Sequence, residues 1–303
     1  MASIPSDLSS TPKIAGYAAI FPKTPNAFVE DSQAEHRINI LSAWHPAIES
    51  GTRVLELGCG QGTCTQVLAQ AVGNAGHVDA VDPGSLDYGA PMTLGQAQAG
   101  LSEGPLGSRI SWHQADPVEF LSSPSHSAKQ WDVAVLVHSV WYFKSPGTLS
   151  RILLALKGKV RTVCIAEYAL HASHLAAVPH VLAALACASL EACRNWEESE
   201  ENIQTSLSPI ALKAIAQQAG WTAKMEGIMV PAERLDDGRW ESKTVVSEDY
   251  VEDVQRHVSN ERIRAMLNSA RDAVVLSVEG IGGIDAVRTM DVWVATLIEG
   301  GEN

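Results

Sequence analysis

Three glycines at alternate positions, set between a buried strand and a helix, constrain this chain more than any other feature. The segment reads VLELGCGQGTCTQVLAQAV. Arg53 to Leu57 is an apolar strand, Gly58, Gly60 and Gly62 form the turn, and a helix follows over Thr63–Val72. Val67, Leu68, Ala71 and Val72 give that helix its inward face, and Gly73-Asn74 stops it. Glycine lets a backbone turn sharply and approach a ligand closely, and a helix N-terminus offers unpaired N–H groups to a carboxylate or phosphate. A plain tight turn is the alternative, but three glycines in five residues favour a ligand.

The rest of the chain repeats the alternation. Strands are expected at His77–Val81, Arg109–His113, Trp131–Val137, Val160–Ala166, Thr222–Val230 and Asp291–Ile298. Helices are expected at Ser32–Trp44, Leu149–Leu156 and Pro209–Ala219. Strands alternating with helices make right-handed βαβ units, so the fold class is α/β: a doubly wound, Rossmann-like, mostly parallel seven-stranded sheet. Two segments interrupt the pattern. One is helical, from about His171 to Thr205, and takes in most of a buried Ala/Leu-rich helix within Ala169–Cys193. The other opens with a possible hairpin at Asp236-Asp237-Gly238. The expected division is an N-terminal lid segment at 1–36, a core at 37–170, a helical insertion at 171–205, core again at 206–230, a second insertion over the substrate at 231–289, and the last core strand and tail at 290–303.

The details of the turn decide which nucleotide it suits. A dinucleotide fingerprint needs glycine at position 63, where this chain has Thr63. The pattern is instead an acidic residue, Glu56, an apolar one, and then G-x-G-x-G. This resembles motif I of the class I S-adenosylmethionine-dependent methyltransferases. Asp82 ends the second strand 20 residues beyond Gly62, where that family accepts hydrogen bonds from both ribose hydroxyls. Asp116, past the third strand, stands where the family often meets the adenine amine, and the fourth strand with its polar and aromatic loop follows the same plan. The resemblance implies S-adenosyl-L-methionine as cofactor, with S-adenosyl-L-homocysteine as product. It also implies a cofactor site of Glu56, Gly58, Cys59, Gly60, Gly62, Asp82, Pro83, Asp116, His138 and Tyr17, with Cys59 contributing mainly backbone. From the residues alone, Asp82 before Pro83-Gly84 can also be a turn former, and Asp116 before Pro117 a helix cap.

Methyl transfer from a sulfonium depends chiefly on alignment, and on a base only where the acceptor carries a proton. His138, after the fourth strand, and Glu167, at the end of the fifth, are the candidate catalytic residues, because the carboxyl ends of the strands open onto the crevice. Trp141, Tyr142, Tyr168 and His171 are the candidate substrate-binding residues; ring faces suit a cation, and core packing is the alternative role for the aromatics. His171 and His174 are spaced to share one helix face, but no third ligand is visible and no metal is expected.

Composition narrows the partners. Lys and Arg total 22 against 35 Asp and Glu, a formal net charge of −13, which opposes nucleic acid and anionic membranes. Five cysteines without a CxxC pair fit a reducing compartment, and the N-terminus lacks a basic segment followed by an apolar one, so a cytoplasmic location is expected. Insertions that are neutral or acidic and rich in Ala, Leu and Val suit a small, partly apolar acceptor in an enclosed pocket. The strings PHVLAAL and MDVWVA are similar to stand-alone methyltransferases of fungal secondary metabolism. The leading function is methyl transfer to oxygen or nitrogen of such a molecule. Two alternatives stay open: cofactor binding without methyl transfer, in a regulator or a catalyst such as a cyclase, and a nicotinamide-dependent oxidoreductase, which Thr63 disfavours.

Overall fold

A computed structural model describes residues 27–126, 128–195, 199 and 201–300. Its centre is a seven-stranded sheet in the order β3-β2-β1-β4-β5-β7-β6. The strands are β1 (Arg53–Leu57), β2 (His77–Asp82), β3 (Ile110–Gln114), β4 (Trp131–Val137), β5 (Val160–Tyr168), β6 (Trp221–Met229) and β7 (Val292–Glu299). The first five are parallel; β7 runs antiparallel to both β5 and β6. The strand order reverses between β1 and β4, and at such a switch point the carboxyl ends of the strands diverge to leave a crevice.

The helices are α1 (Ala27–Ala43), α2 (Thr63–Val72), α3 (Leu94–Glu103), α4 (Pro117–Ser122), α5 (Pro146–Leu156), α6 (Val178–Glu191), α7 (Pro209–Gln218), α8 (Asp237–Val246), α9 (Glu248–His257) and α10 (Glu261–Gly280). Alternation along the strands divides the core in two. On β4, Ala134 and Leu136 face α4, α5 and α7, where Phe120, Leu153 and Leu212 pack. Val133 and Val135 face the other way, onto Ile40 of α1 and Leu68 of α2. The helices α6, α8, α9 and α10 form a separate apolar cluster around Ala183, Val245, Val254, Leu267 and Val274.

One carboxylate ties the edge of the sheet away from the crevice. Asp79 on β2 accepts from Trp131 Nε1 at 2.7 Å and His113 Nε2 at 2.8 Å and pairs with Lys129. Burial alone would raise its carboxyl, yet the hydrogen bonds from His113, Lys129 and Trp131 hold it well below the usual carboxylate range.

Three sequence expectations are corrected here. Asp236-Asp237-Gly238 is not a hairpin but the start of α8: Asp236 has α-helical φ and ψ of −90° and −2°, and no strand lies beside it. Gly238 is required there by proximity, since a Cβ would stand 2.4 Å from the Arg288 carbonyl oxygen. The Ala/Leu-rich helix begins only at Val178, with Pro179 in its first turn, so His171 and His174 lie in the preceding loop and share no helix face. His174 instead caps a short 3-10 turn over Leu175–Ala177. The fifth strand also runs two residues further than expected, which places Glu167 and Tyr168 inside the sheet, paired with Trp293 and Val292.

Candidate active site

The glycine turn closes β1 against β2 and β4. Gly58, Gly60 and Gly62 all have positive φ, at 80°, 52° and 90°, the left-handed region that side chains disfavour. They differ in surroundings. A Cβ on Gly58 would stand 2.4 Å from Ser139 Cβ, and one on Gly62 2.7 Å from Leu101 and from Trp112, so both are packing glycines. Gly60 meets nothing within 4 Å, which leaves its face open to a ligand. Asp82 fixes the turn by accepting from Gly60 N–H through Oδ2 and from Gly84 N–H through Oδ1, both at 2.8 Å. Each oxygen retains a further lone pair, so the carboxylate can still receive ribose hydroxyls. An acidic group at the end of β2 beside an open glycine turn fits the adenosyl group of S-adenosylmethionine.

Glu56 lies beneath this turn. It is buried, accepts from Thr65 Oγ1 at 2.6 Å, and its carboxyl is lifted to about 7 chiefly by burial. It therefore supports the turn from below. Cys59 is buried as well, and burial raises its thiol far out of the reactive range.

Ser139 joins the turn to a second feature. Its hydroxyl donates to the Leu57 carbonyl at 2.9 Å. The residue before it, His138, has φ of +49°, unusual for a side-chain-bearing residue and characteristic of sites where strain is maintained by the surroundings. The strained backbone turns His138 into a cavity of about 190 Å³, at the carboxyl ends of β4 and β5. Glu167 anchors the floor. Its Oε2 accepts from the amides of Val140 and Trp141 at 3.1 and 3.4 Å, and its Oε1 faces His138 Nδ1 at 3.4 Å. With Nδ1–H of His138 donating to this carboxylate, Nε2 is the accepting nitrogen. His36 of α1 already occupies it, Nε2 to Nε2, at 2.9 Å, with the rings stacked 5.1 Å apart. Burial, then His138 and Arg37, push the His36 imidazole well below its ordinary range, so it is neutral.

The remaining walls are aromatic and polar. Tyr168 donates to Asp237 Oδ1 at 2.9 Å and stacks near His138, with centroids 4.4 Å apart. Gln33 of α1 holds the other Asp237 oxygen at 2.7 Å and accepts from Arg37 at 2.6 Å. Helices α1 and α8, 204 residues apart in sequence, thus meet over the cavity. Trp141 is buried with its Nε1 donating to the Leu207 carbonyl, while Tyr142 is half exposed at the rim. His180 of α6 accepts from the Met290 amide through Nδ1 at 2.9 Å. Burial lowers its imidazole to about 4, so it is neutral with the proton on Nε2.

Of the residues singled out in the sequence, His138, Glu167, Trp141, Tyr142 and Tyr168 line this one cavity. Asp116 does what the cap alternative expects: its Oδ1 accepts from the amides of Val118 and Glu119 at the start of α4. His171 is not among the lining residues; its Nδ1 meets Asp291 Oδ2 at 2.6 Å and most of its side chain is exposed. Tyr17 lies outside the described residues. Sequence reasoning missed His180, Asp237 and Glu241; the helix carrying His36 and Arg37 was expected to fold over the cofactor, and His36 meets His138. An isolated His on an Ala-rich helix carries no local signal. Asp237 was hidden by its resemblance to a turn. Among the described residues no group of three His, Cys, Asp or Glu is placed to hold a metal ion, and no helix is long and apolar enough to cross a membrane.

Comparison with known proteins agrees with this geometry. A family model described as a methyltransferase domain matches residues 28–224. Methyltransferase phomM' of Diaporthe leptostromiformis is 30% identical over 282 residues, covering 80% of this chain and 72% of that protein. Methyltransferase phomM of the same organism is 30% identical over 280 residues with the same coverage. Among solved structures, a cyclopropane-fatty-acyl-phospholipid synthase-like protein from Lactobacillus casei superposes with a TM-score of 0.76 at 29% identity, covering 91% of this chain and 94% of that one.

Proposed function

Because the chain belongs to the methyltransferase-domain family and uses S-adenosylmethionine, we propose that it methylates an oxygen or nitrogen of a small, partly apolar organic molecule bound in the His138 cavity. The observation that carries this reading is the join at His138-Ser139: Ser139 packs on Gly58 of the glycine turn while the adjacent His138 walls the cavity, so cofactor and acceptor would meet there. A volume of about 190 Å³ between Trp141, Tyr168 and His180 suits one ring or a short branched chain.

When bound, S-adenosylmethionine supplies an electrophilic methyl group on a sulfonium. The protein's share is to hold a nucleophile in line with it and exclude water. Gly60 and Asp82 hold the adenosyl part, in the same way as the family's corresponding residues. The aromatic walls orient the acceptor. His138 is the group placed to take a proton from it, with Glu167 fixing the imidazole tautomer and stabilising its charged form. His36 donates to the nitrogen that would do so; proton removal therefore requires the acceptor to displace His36 or to pass its proton through the pair.

Helices α6, α8, α9 and α10 we read as a lid, together with α1, whose Gln33 and His36 reach the site. Likeness to the phomM methyltransferases favours a role in secondary metabolism, and the net charge of −13 disfavours a nucleic acid or anionic membrane as partner. The likeness to a cyclopropane synthase-like protein raises a second reading, transfer to the double bond of a lipid chain. The carboxylates Asp237 and Glu241 at the cavity argue for a polar acceptor instead.

The test is incubation with methyl-labelled S-adenosylmethionine and a panel of phenols, alcohols, amines and unsaturated lipids. Label in a phenol, alcohol or amine supports the proposal. Label in lipid alone would establish the second reading, and cofactor binding with no labelled product would mean a non-methylating binder.

A further inference from the structure

Beyond the His138 cavity lies a second, larger chamber of about 530 Å³ between α6, α8 and α9. The two adjoin, with Asn202, Ile203, Trp240 and Glu241 lining both. Their charge is lopsided. In the inner chamber Glu167, Asp237 and Glu241 face a single permanent cation, Arg37. In the outer one five carboxylates face Arg194 and Lys243.

Most of these carboxylates are already satisfied. Glu167 accepts from backbone amides, Asp237 from Tyr168 and Gln33, and Glu201 and Asp253 share Arg194. Two are not. Glu241, at the junction, makes no ion pair among the described residues, and burial, then Asp237 and Glu201, lift its carboxyl to about 7. Glu191, only 6% exposed on the wall of the outer chamber, has a hydrogen-bond partner on neither carboxylate oxygen. Arg194 stands 3.8 Å from it but is committed to Glu201 and Asp253. Buried carboxylates without partners are costly and cluster where a ligand completes them. Trp240, nearly half exposed at the same junction, adds a ring face of the kind that attracts cations.

We infer that the junction of the two chambers is a binding site for an ammonium group carried by the acceptor molecule, whose apolar part enters the inner chamber among Trp141, Tyr142 and Tyr168 and bears the atom to be methylated. Glu241 pairs with the ammonium, Trp240 covers it, and Glu191 draws the remainder of a longer cationic molecule into the outer chamber. The inference rests on the methyltransferase reading only in taking the bound molecule to be the acceptor.

The test compares 2-phenylethylamine with 2-phenylethanol, its neutral counterpart, by ligand-observed NMR titration of the full chain at about pH 8, where a carboxyl of the kind at Glu241 is mostly ionised and the amine mostly protonated. The amine is expected to bind roughly tenfold tighter or more, the size of a hydrogen bond between charged groups. Glu241→Gln should abolish that preference, and Trp240→Leu should reduce it, each in a protein that still unfolds cooperatively. Equal affinity for the two probes, or a preference that survives Glu241→Gln in a folded protein, overturns the inference. So does failure of the amine to bind at about 10 mM, the range of negligible affinity. S-adenosylhomocysteine binding is measured on the same sample: its absence would count against the methyltransferase reading, while the amine preference is scored independently.

Discussion

At the scale of single residues, Asp82 and Glu56 show how two acids near one turn take different tasks. Asp82 organises the open side, holding Gly60 and Gly84 by their amides while keeping lone pairs for a ligand. Asp82→Ala should weaken S-adenosylmethionine binding by about 1–3 kcal/mol, the cost of losing charged hydrogen bonds, in a protein that still folds; calorimetry reads it directly. Glu56 is walled in beneath the turn, and its carboxyl rises from 4.5 to about 7 on folding. A group whose pKa is raised on folding contributes stability at acid pH that is lost as pH climbs through the folded value. Between about pH 5 and pH 8 the wild type should therefore lose stability that Glu56→Gln keeps. Melting temperatures across that window check it, with the variant gaining on the wild type as pH rises.

Among elements, α8 shows most clearly what local sequence conceals. Asp236-Asp237-Gly238 carries the composition of a hairpin turn, and nothing nearby in sequence contradicts that. What selects a helix is distant: the Arg288–Thr289 backbone presses on Gly238, Thr289 Oγ1 accepts from the Gly238 amide at 3.0 Å, and Tyr168 and Gln33 hold Asp237. Gly238→Ala would drive a Cβ to 2.4 Å from the Arg288 carbonyl, a clash with backbone that no rotamer relieves. A loss of about 2 kcal/mol or more is expected, seen as a lowered melting temperature, because overpacking against backbone moves a whole element. S-adenosylhomocysteine affinity should be retained, since the glycine turn lies elsewhere. The β1–turn–α2 unit, by contrast, was fully legible: strand, glycines and helix are contiguous, and Arg53–Leu57 and Thr63–Val72 fall where their patterns place them. The sheet could also be counted, but the antiparallel insertion of β7 between β5 and β6 leaves no trace in strand patterning.

Over the whole molecule, the proposed cofactor half of the site is written in one local motif and the proposed acceptor half is assembled from afar. His36, Glu167, His180 and Asp237 come from α1, β5, α6 and α8, and only their joint closure makes the cavity. His138, Glu167, Trp141, Tyr142 and Tyr168 could be singled out because they lie at or just after the carboxyl ends of strands, which must face the crevice. His180 and Asp237 could not, because insertions carry no such rule. The net charge of −13 fits the proposal that a small molecule bearing an ammonium group is drawn into an acidic enclosure. The central claim is that the glycine turn and Asp82 hold S-adenosylmethionine, and isothermal titration of the protein with S-adenosylmethionine, S-adenosylhomocysteine and NAD tests it most directly. The account predicts micromolar binding of the first two, weakened by Asp82→Ala, and none of NAD. Binding of NAD alone, or of neither sulfur compound, would contradict it.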